Sequence, residues 1–134
     1  MASSPLTRNT DALYADFPKD LLLNPVNFDI SRKTDEAAIK ESIKNILLTD
    51  PGERLFNPTF GCGVRHMLFE NMHSGLKSVI EDTVRTAIET YEPRCNLLKV
   101  QAILDNYNLI INVVFTVINI QEPINLSVTL SRVR

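Results

Sequence analysis

Three stretches in the last third of the chain decide the fold: LKVQAIL at residues 98–104, LIINVVFTV at 109–117 and INLSVTLS at 124–131. Apolar residues recur at every second position, a period typical of β-strands. The turn-forming sequence DNYN at 105–108 joins the first two stretches as a hairpin. The chain should therefore end in three strands of a mainly antiparallel sheet.

The middle stretch is apolar on both of its faces, which predicts a central strand that is partly covered on both sides. In the first stretch, Leu98, Val100, Ala102 and Leu104 should share one face.

The last stretch alternates Ile124, Leu126, Val128 and Leu130 with small polar residues. It carries no charge, although charges are a common protection of edge strands. Two interpretations stay open: a strand paired within the domain, or an edge that accepts a strand from another chain.

Upstream of these strands the apolar period changes to that of a helix. Thr34, followed by two acids, predicts a helix start, and Asp50-Pro51-Gly52 predicts its end. Ser74 is the predicted cap of a longer helix over 75–91, which Pro93 ends. Its predicted apolar stripe consists of Leu76, Val79, Ile80, Val84, Ala87, Ile88 and Tyr91.

Between these helices we predict a packed loop with Phe56 and Phe60 as anchors and Gly61 and Gly63 as backbone turns, then about two helical turns over 64–70. Before the first helix, Pro18 and Pro25 favour an extended segment, in which Val26, Phe28 and Ile30 alternate as in a short strand.

These elements predict an α+β domain, with two main helices packed on one face of a mainly antiparallel sheet of three to four strands. We expect a flexible N-terminal arm over 1–12 and one domain over 13–134.

Composition narrows the possible partners and surroundings. The net charge is −2, with no basic block to bind phosphates, so we expect no nucleic acid partner. No segment approaches the ~20 apolar residues of a membrane span, and no apolar leader region is recognisable, so we expect no membrane partner and a protein that is made and kept in the cytoplasm. Cys62 and Cys95 are expected to be reduced thiols.

The sequence predicts no catalytic, cofactor-binding or metal-binding residues. Cys62, His66 and His73 lack the spacing of a zinc site, and no phosphate-binding loop or nucleophile elbow is present. A glycosidase would need two carboxylates across a cleft. The available acids are Glu53, Glu70, Glu81, Asp82 and Glu92, and nothing in the sequence pairs any two of them.

The most distinctive polar cluster is Glu92-Pro93-Arg94, between the long helix and the hairpin. Pro93 should fix the backbone while Glu92 and Arg94 project charge from a rigid corner. A simple helix stop, with Arg94 on the terminal carbonyls, is the structural alternative.

With this corner, the segments RLFNPTFGCG at 54–63 and LFENM at 68–72 make the chain similar to the contractile-tail baseplate wedge proteins. This sheath-initiator family has relatives in type VI secretion baseplates. The resemblance covers about residues 13–134.

The resemblance implies a structural subunit of the virion tail baseplate, with six copies around the tail hub. Glu92, Pro93 and Arg94 would dock on the core helical bundle of the other wedge subunits. The last strand, with Ile124, Leu126, Val128 and Leu130, would initiate the sheath by joining a sheet with arms of the sheath protein. Tail hub or tube proteins would be further neighbours.

Two alternative functions stay open at this point. Some members of the family are called lysozyme-like, which would imply a small glycan hydrolase. A cellular adaptor could also use the same fold for another partner.

Overall fold

The computed structural model describes residues 14–17, 20, 21, 23, 25, 26, 28, 33–70, 74–105, 107–118 and 120–132, with the side chains of residues 33 and 34 excepted. The chain divides into two compact units, Met1–Glu41 and Ser42–Arg134. The predicted arm over 1–12 lies outside the described residues, and the domain boundary after it stays a prediction.

The first unit contains a short antiparallel pair, β1 (Ala15–Asp16) with β2 (Lys33–Thr34). The Asp35 N–H donates to the Tyr14 carbonyl oxygen at 2.7 Å, and the Tyr14 N–H donates to Asp35 Oδ1 at 3.1 Å. These two bonds continue the pairing into the start of the first helix.

The short strand predicted around Val26 and Phe28 is wrong for these two residues, and Ile30 lies outside the described part. Val26 lies in a turn directly after Pro25, and Phe28 lies at a bend with a φ of 51°. Proline starts turns by fixing its own φ, and a positive φ is incompatible with a strand.

Three helices follow: α1 (Asp35–Leu48), α2 (Val64–Met67) and α3 (Leu76–Tyr91). The first agrees with the predicted start, with Asp35 and Glu36 in its first turn. Helix α2 is followed by turns that reach Glu70, close to the predicted two turns.

Helix α3 buries one stripe of side chains: Leu76, Ile80, Val84, Ala87 and Ile88. Val79, predicted to belong to the stripe, is 49% exposed. The predicted cap is also wrong, because Gly75 occupies the cap position and no side-chain hydrogen bond is made there. Burial of the stripe, rather than a cap, therefore stabilises this helix.

The second unit contains a sheet of three antiparallel strands in the order β3-β4-β5: β3 (Cys95–Leu104), β4 (Asn108–Val117) and β5 (Ile120–Ser131). Asp105 and Asn108 exchange two backbone hydrogen bonds, of 2.8 and 3.3 Å, and so close the predicted hairpin. The predicted α+β class and the central position of β4 are confirmed.

One face of the sheet is buried. On β4 it comprises Leu109, Ile111, Val113, Phe115 and Val117. Each member of this set has a β5 residue opposite it: Leu109 has Leu130, Ile111 has Val128, Val113 has Leu126, Phe115 has Ile124, and Val117 has Ile120. The other face of β4 is only partly covered.

Two predictions for the strands need correction. The register shifts between Leu97 and Lys99, which turns Leu98 out to solvent although Val100 and Ala102 are buried. Strand β5 begins at Ile120 rather than at Ile124 and includes Pro123. Proline is tolerated in an edge strand, because its missing N–H can lie on the unpaired side.

The loop over 49–63 is held by its glycines and by Tyr91. A Cβ on Gly61, whose φ is 111°, would lie 2.2 Å from the Thr49 carbonyl oxygen. The Tyr91 hydroxyl donates to the Thr59 carbonyl oxygen at 2.5 Å, and its ring contacts Phe60. Phe60 is thus an anchor, as predicted. Phe56 is fully exposed at the loop tip, which contradicts the predicted anchor.

We predict that Gly61→Ala lowers the free energy of unfolding by roughly 3 kcal/mol or more, because it combines strain at positive φ with a backbone clash. Gly52→Ala is the matched control, since Gly52 has a φ of 95° but no atom near its missing Cβ. Urea unfolding of both variants measures the difference. Equal losses would contradict the close approach to Thr49.

Candidate protein-interface site

The Glu92-Pro93-Arg94 corner is fixed at both ends by backbone hydrogen bonds. The Glu92 N–H donates to the Ile88 carbonyl oxygen at 2.8 Å, in the last turn of α3. The Arg94 carbonyl oxygen accepts from the Ile118 N–H at 3.3 Å, which extends the β3–β4 ladder by one residue. Pro93 is exposed between these two anchors. The corner therefore has a set geometry before any partner binds.

The Glu92 side chain points inward and is only 1% exposed. Arg94 Nε lies 2.5 Å from Glu92 Oε1, and Arg94 Nη2 lies 2.8 Å from Glu92 Oε2, a bidentate pair. Arg94 itself is 30% exposed. The prediction that Glu92 projects its charge outward is wrong, because the guanidinium two residues later holds the carboxylate inside.

The protonation of Glu92 follows from this environment. Burial alone would raise its pKa, but hydrogen bonds from Arg94 and Ser42 lower the pKa below its ordinary value. Glu92 is therefore ionised near neutral pH. Because Ser42 belongs to α1, the carboxylate joins that helix to the end of α3 and the start of β3.

Two thiols are buried near these elements, and both are free. The Cys95 thiol donates to the Glu92 carbonyl oxygen at 3.4 Å, and burial together with the Glu92 charge raises its pKa to about 11. The Cys62 thiol donates to the Leu47 carbonyl oxygen at 3.5 Å, and burial raises its pKa as well. Both are neutral thiols at physiological pH, which suits structural rather than reactive cysteines.

The two edges of the β3-β4-β5 sheet differ. On the β3 edge, Glu81 of α3 reaches across and its Oε1 accepts the Ala102 N–H at 2.9 Å. A helix side chain therefore occupies a backbone donor that an incoming strand would need. Lys77, one turn earlier, lies 3.9 Å from the same carboxylate.

Among the described residues, no side-chain hydrogen bond of this kind is made to the β5 edge, although the α2 region lies beside its C-terminal end. The Arg132 N–H donates inward to the Tyr107 carbonyl oxygen at 2.7 Å, so backbone groups of alternate residues counted back from Arg132 face β4. The intervening groups, those of Asn125, Ser127, Thr129 and Ser131, face outward. The register from residue 124 to residue 131 is continuous, and the outward row is therefore regular.

The predicted interface residues of β5 have their side chains in the core rather than at the open edge. Ile124, Val128 and Leu130 are buried on the helix-covered face, and Leu126 is partly buried there. Their side chains hold β5 on the core. Any strand pairing would use the outward backbone groups of their neighbours, which the sequence signalled only through the absence of charge.

Three of the five acids considered for catalysis have other contacts. Glu53 Oε2 accepts the Asp50 N–H at 3.1 Å, Glu81 accepts the Ala102 N–H, and Glu92 binds Arg94.

Among the described residues no group of three potential metal ligands occurs. In the same part of the chain, no helix is long and apolar enough to cross a membrane.

Comparison with known proteins shows the family to which this chain belongs. Residues 33–121, which include the Glu92-Pro93-Arg94 corner, match the family model described as baseplate wedge protein gp25. Baseplate wedge protein gp25 of Enterobacteria phage T4 is 36% identical over 118 residues, 87% of this chain and 89% of that protein. The chain belongs to the baseplate wedge protein gp25 family. As a member of this family, it is a structural component of a tail baseplate.

Solved structures agree with this gp25-family assignment. A putative tail lysozyme from Geobacter sulfurreducens has a TM-score of 0.65 and 32% identity, covering 72% of this chain and 89% of that one. A chain of the anti-feeding prophage baseplate has a TM-score of 0.62 at 19% identity, over 88% and 85% of the two chains. A chain of the postcontracted pyocin R2 baseplate has a TM-score of 0.51 and 21% identity, covering 83% of this chain and 97% of that one. The last two show a shared fold.

We predict that the stability of this gp25-family protein falls in acid partly through Glu92. Its folded-state pKa lies below the unfolded value of about 4.3. The pair's contribution is therefore complete above that pH and is lost as pH falls through the lowered folded-state pKa. Urea unfolding between pH 7 and pH 3 should show a shallower loss for Glu92→Gln than for wild type, together with lower stability at pH 7. Glu89→Gln, at an exposed α3 position, is the control, and equal pH slopes for Glu92→Gln and wild type would contradict the pairing.

Proposed function

We propose that the chain is a non-catalytic subunit of a contractile-tail baseplate and that it initiates the sheath by accepting a strand at the β5 edge. The observation that carries this proposal is the difference between the two sheet edges. An extended segment of the sheath protein would find regular backbone donors and acceptors along β5, whereas Glu81 hinders pairing along β3.

The composition of the β5 edge supports this assignment. From Ile124 to Ser131 the strand has neither charge nor proline, the two devices that commonly block edge pairing. Monomeric proteins seldom leave such an edge unprotected. A strand added there would extend the sheet from three strands to four.

We assign the second contact to the Glu92-Pro93-Arg94 corner, which would dock on the core helical bundle of neighbouring wedge subunits. The parts available to a partner are the exposed Pro93 ring and the exposed portion of Arg94. Glu92 would act from inside by fixing the guanidinium. A preorganised arginine loses less entropy on binding than a mobile one.

In this proposal the subunit resides in the virion tail baseplate, in six copies around the tail hub, next to hub or tube proteins. The corner faces inward to the wedge and the β5 edge outward to the sheath. The family assignment supports the baseplate location.

A glycan hydrolase is the less favoured function, despite the name of the Geobacter sulfurreducens protein. Glycosidases place two carboxylates roughly 5–9.5 Å apart across the substrate cleft. Three of the clefts on the described surface hold at most one acid each: one is lined by Asp82, another by Glu53, and the third by none. No observation favours the cellular adaptor.

The β5 proposal predicts that Ser127→Pro weakens binding of the sheath subunit of the same tail by roughly tenfold or more. Proline removes an outward donor and places its ring where the incoming strand would lie. Ser127→Ala, which keeps the N–H, should bind as wild type does. Biolayer interferometry measures affinity, and circular dichroism checks folding. Undiminished binding by a folded Ser127→Pro variant would refute the proposal.

The corner proposal predicts that Arg94→Lys weakens capture of purified wedge-core subunits by roughly fivefold, because lysine keeps the charge but not the bidentate geometry. Pro93→Glu should weaken capture without touching the buried pair. Arg85→Lys, at an exposed α3 position, is the control. Melting curves separate lost binding from lost folding. If both corner variants are folded and captured like wild type, the corner is only a helix stop.

A further inference from the structure

A cleft of about 360 Å³ lies beside the C-terminal end of β5. It is lined by residues of β5 and of the α2 region: Arg65, Leu68, Phe69, Thr129, Leu130 and Ser131. Because β5 is an edge strand of this sheet, the cleft lies beside the strand at which the proposed pairing would occur.

The position of Leu130 defines what the cleft can receive. Leu130 faces the buried side of the sheet, and its neighbour on β4 is Leu109. In a continued sheet, the residue opposite Leu130 on an added strand would stand on its other side, about 4.5–5.5 Å away between Cβ atoms. Leu130 itself lines the cleft, so a side chain in that position could enter it.

The walls of the cleft set its chemical preference. Of its lining residues, Leu68 is buried and Phe69 is 56% exposed. Arg65 is an exposed lining residue, and the Arg132 guanidinium lies 5.5 Å from the centre of the Phe69 ring. None of the six lining residues is acidic. The cleft therefore has a mixed lining, with Leu68, Phe69 and Leu130 as its apolar part and the cation of Arg65 beside them.

We propose that this cleft selects the incoming strand by receiving a bulky apolar side chain from the residue opposite Leu130. An acidic residue two positions along the same face of that strand would complement Arg65 and Arg132. This inference rests on the proposed strand addition at β5. It adds a side-chain requirement to backbone pairing, which by itself carries little sequence information.

The direct test replaces Phe69 with the photoreactive analogue p-benzoylphenylalanine in the full chain. After irradiation with the sheath subunit of the same tail, mass spectrometry identifies the attached residue. The expected attachment is on or next to a Leu, Ile, Met, Phe or Tyr in an extended segment, with Asp or Glu two positions away. Attachment to a wholly polar segment, or none to the sheath subunit, would overturn the inference.

Affinity measurements separate this inference from the function on which it rests. Phe69→Glu and Arg65→Glu should each weaken sheath binding by roughly tenfold. Val79→Glu places the same charge at a half-exposed apolar residue outside the cleft and should change affinity less than about twofold. If Ser127→Pro abolishes binding while both cleft variants bind like wild type, the cleft inference fails alone. If a folded Ser127→Pro variant still binds, the proposal of strand addition fails, and the inference about the cleft fails with it.

Discussion

The ionised carboxylate of Glu92 is the constraint on which the corner of the second unit depends. A charge that is 99% buried is tolerated only with close partners, and its partners come from both directions along the chain: Ser42 in α1 and Arg94 just before β3. Satisfying it fixes the end of α3, the start of the sheet and the placement of α1 residue 42 together. Pro93 stays at the surface because both of its neighbours are held from inside.

Most of the architecture could be predicted from the sequence, because it follows from the spacing of apolar residues and from the residues that start and end each element. Alternating apolar residues predicted the strands, the acidic first turn predicted the start of α1, and Pro93 predicted the end of α3. The failures arose where tertiary contacts override local signals. A bulge turns Leu98 outward, and the flank of α3 leaves Val79 exposed. Spacing alone cannot reveal a register shift.

For the two proposed interface segments, the sequence analysis misjudged which atoms are presented to solvent. Glu92 faces inward because Arg94 binds it, and a bidentate pair two residues apart depends on the local backbone. The predicted β5 residues Ile124, Val128 and Leu130 are core residues, while the outward backbone belongs to their polar neighbours. The role of Glu81, considered only as a candidate acid, could not be foreseen, since its acceptor contact with Ala102 spans 21 positions.

The difference between the sheet edges gives the proposed assembly a direction. One edge is closed by a helix side chain and the other is regular and uncharged, so strand addition has one favoured side. In the proposed assembly, backbone pairing along β5 would supply general affinity for an extended segment, and the cleft beside Leu130 would discriminate between such segments.

The hairpin order of the sheet also affects when the sheet folds relative to the binding of a neighbouring subunit. Strands β3, β4 and β5 are consecutive in the chain and joined by short connections, so every pairing forms between sequence neighbours. Topologies of this kind avoid the slow closure of long loops. The sheet can be complete while the chain is still alone, before any neighbour is present. If a strand is added as proposed, the ordering entropy would then fall on the incoming segment, and this subunit would serve as a finished template from which growth proceeds outward.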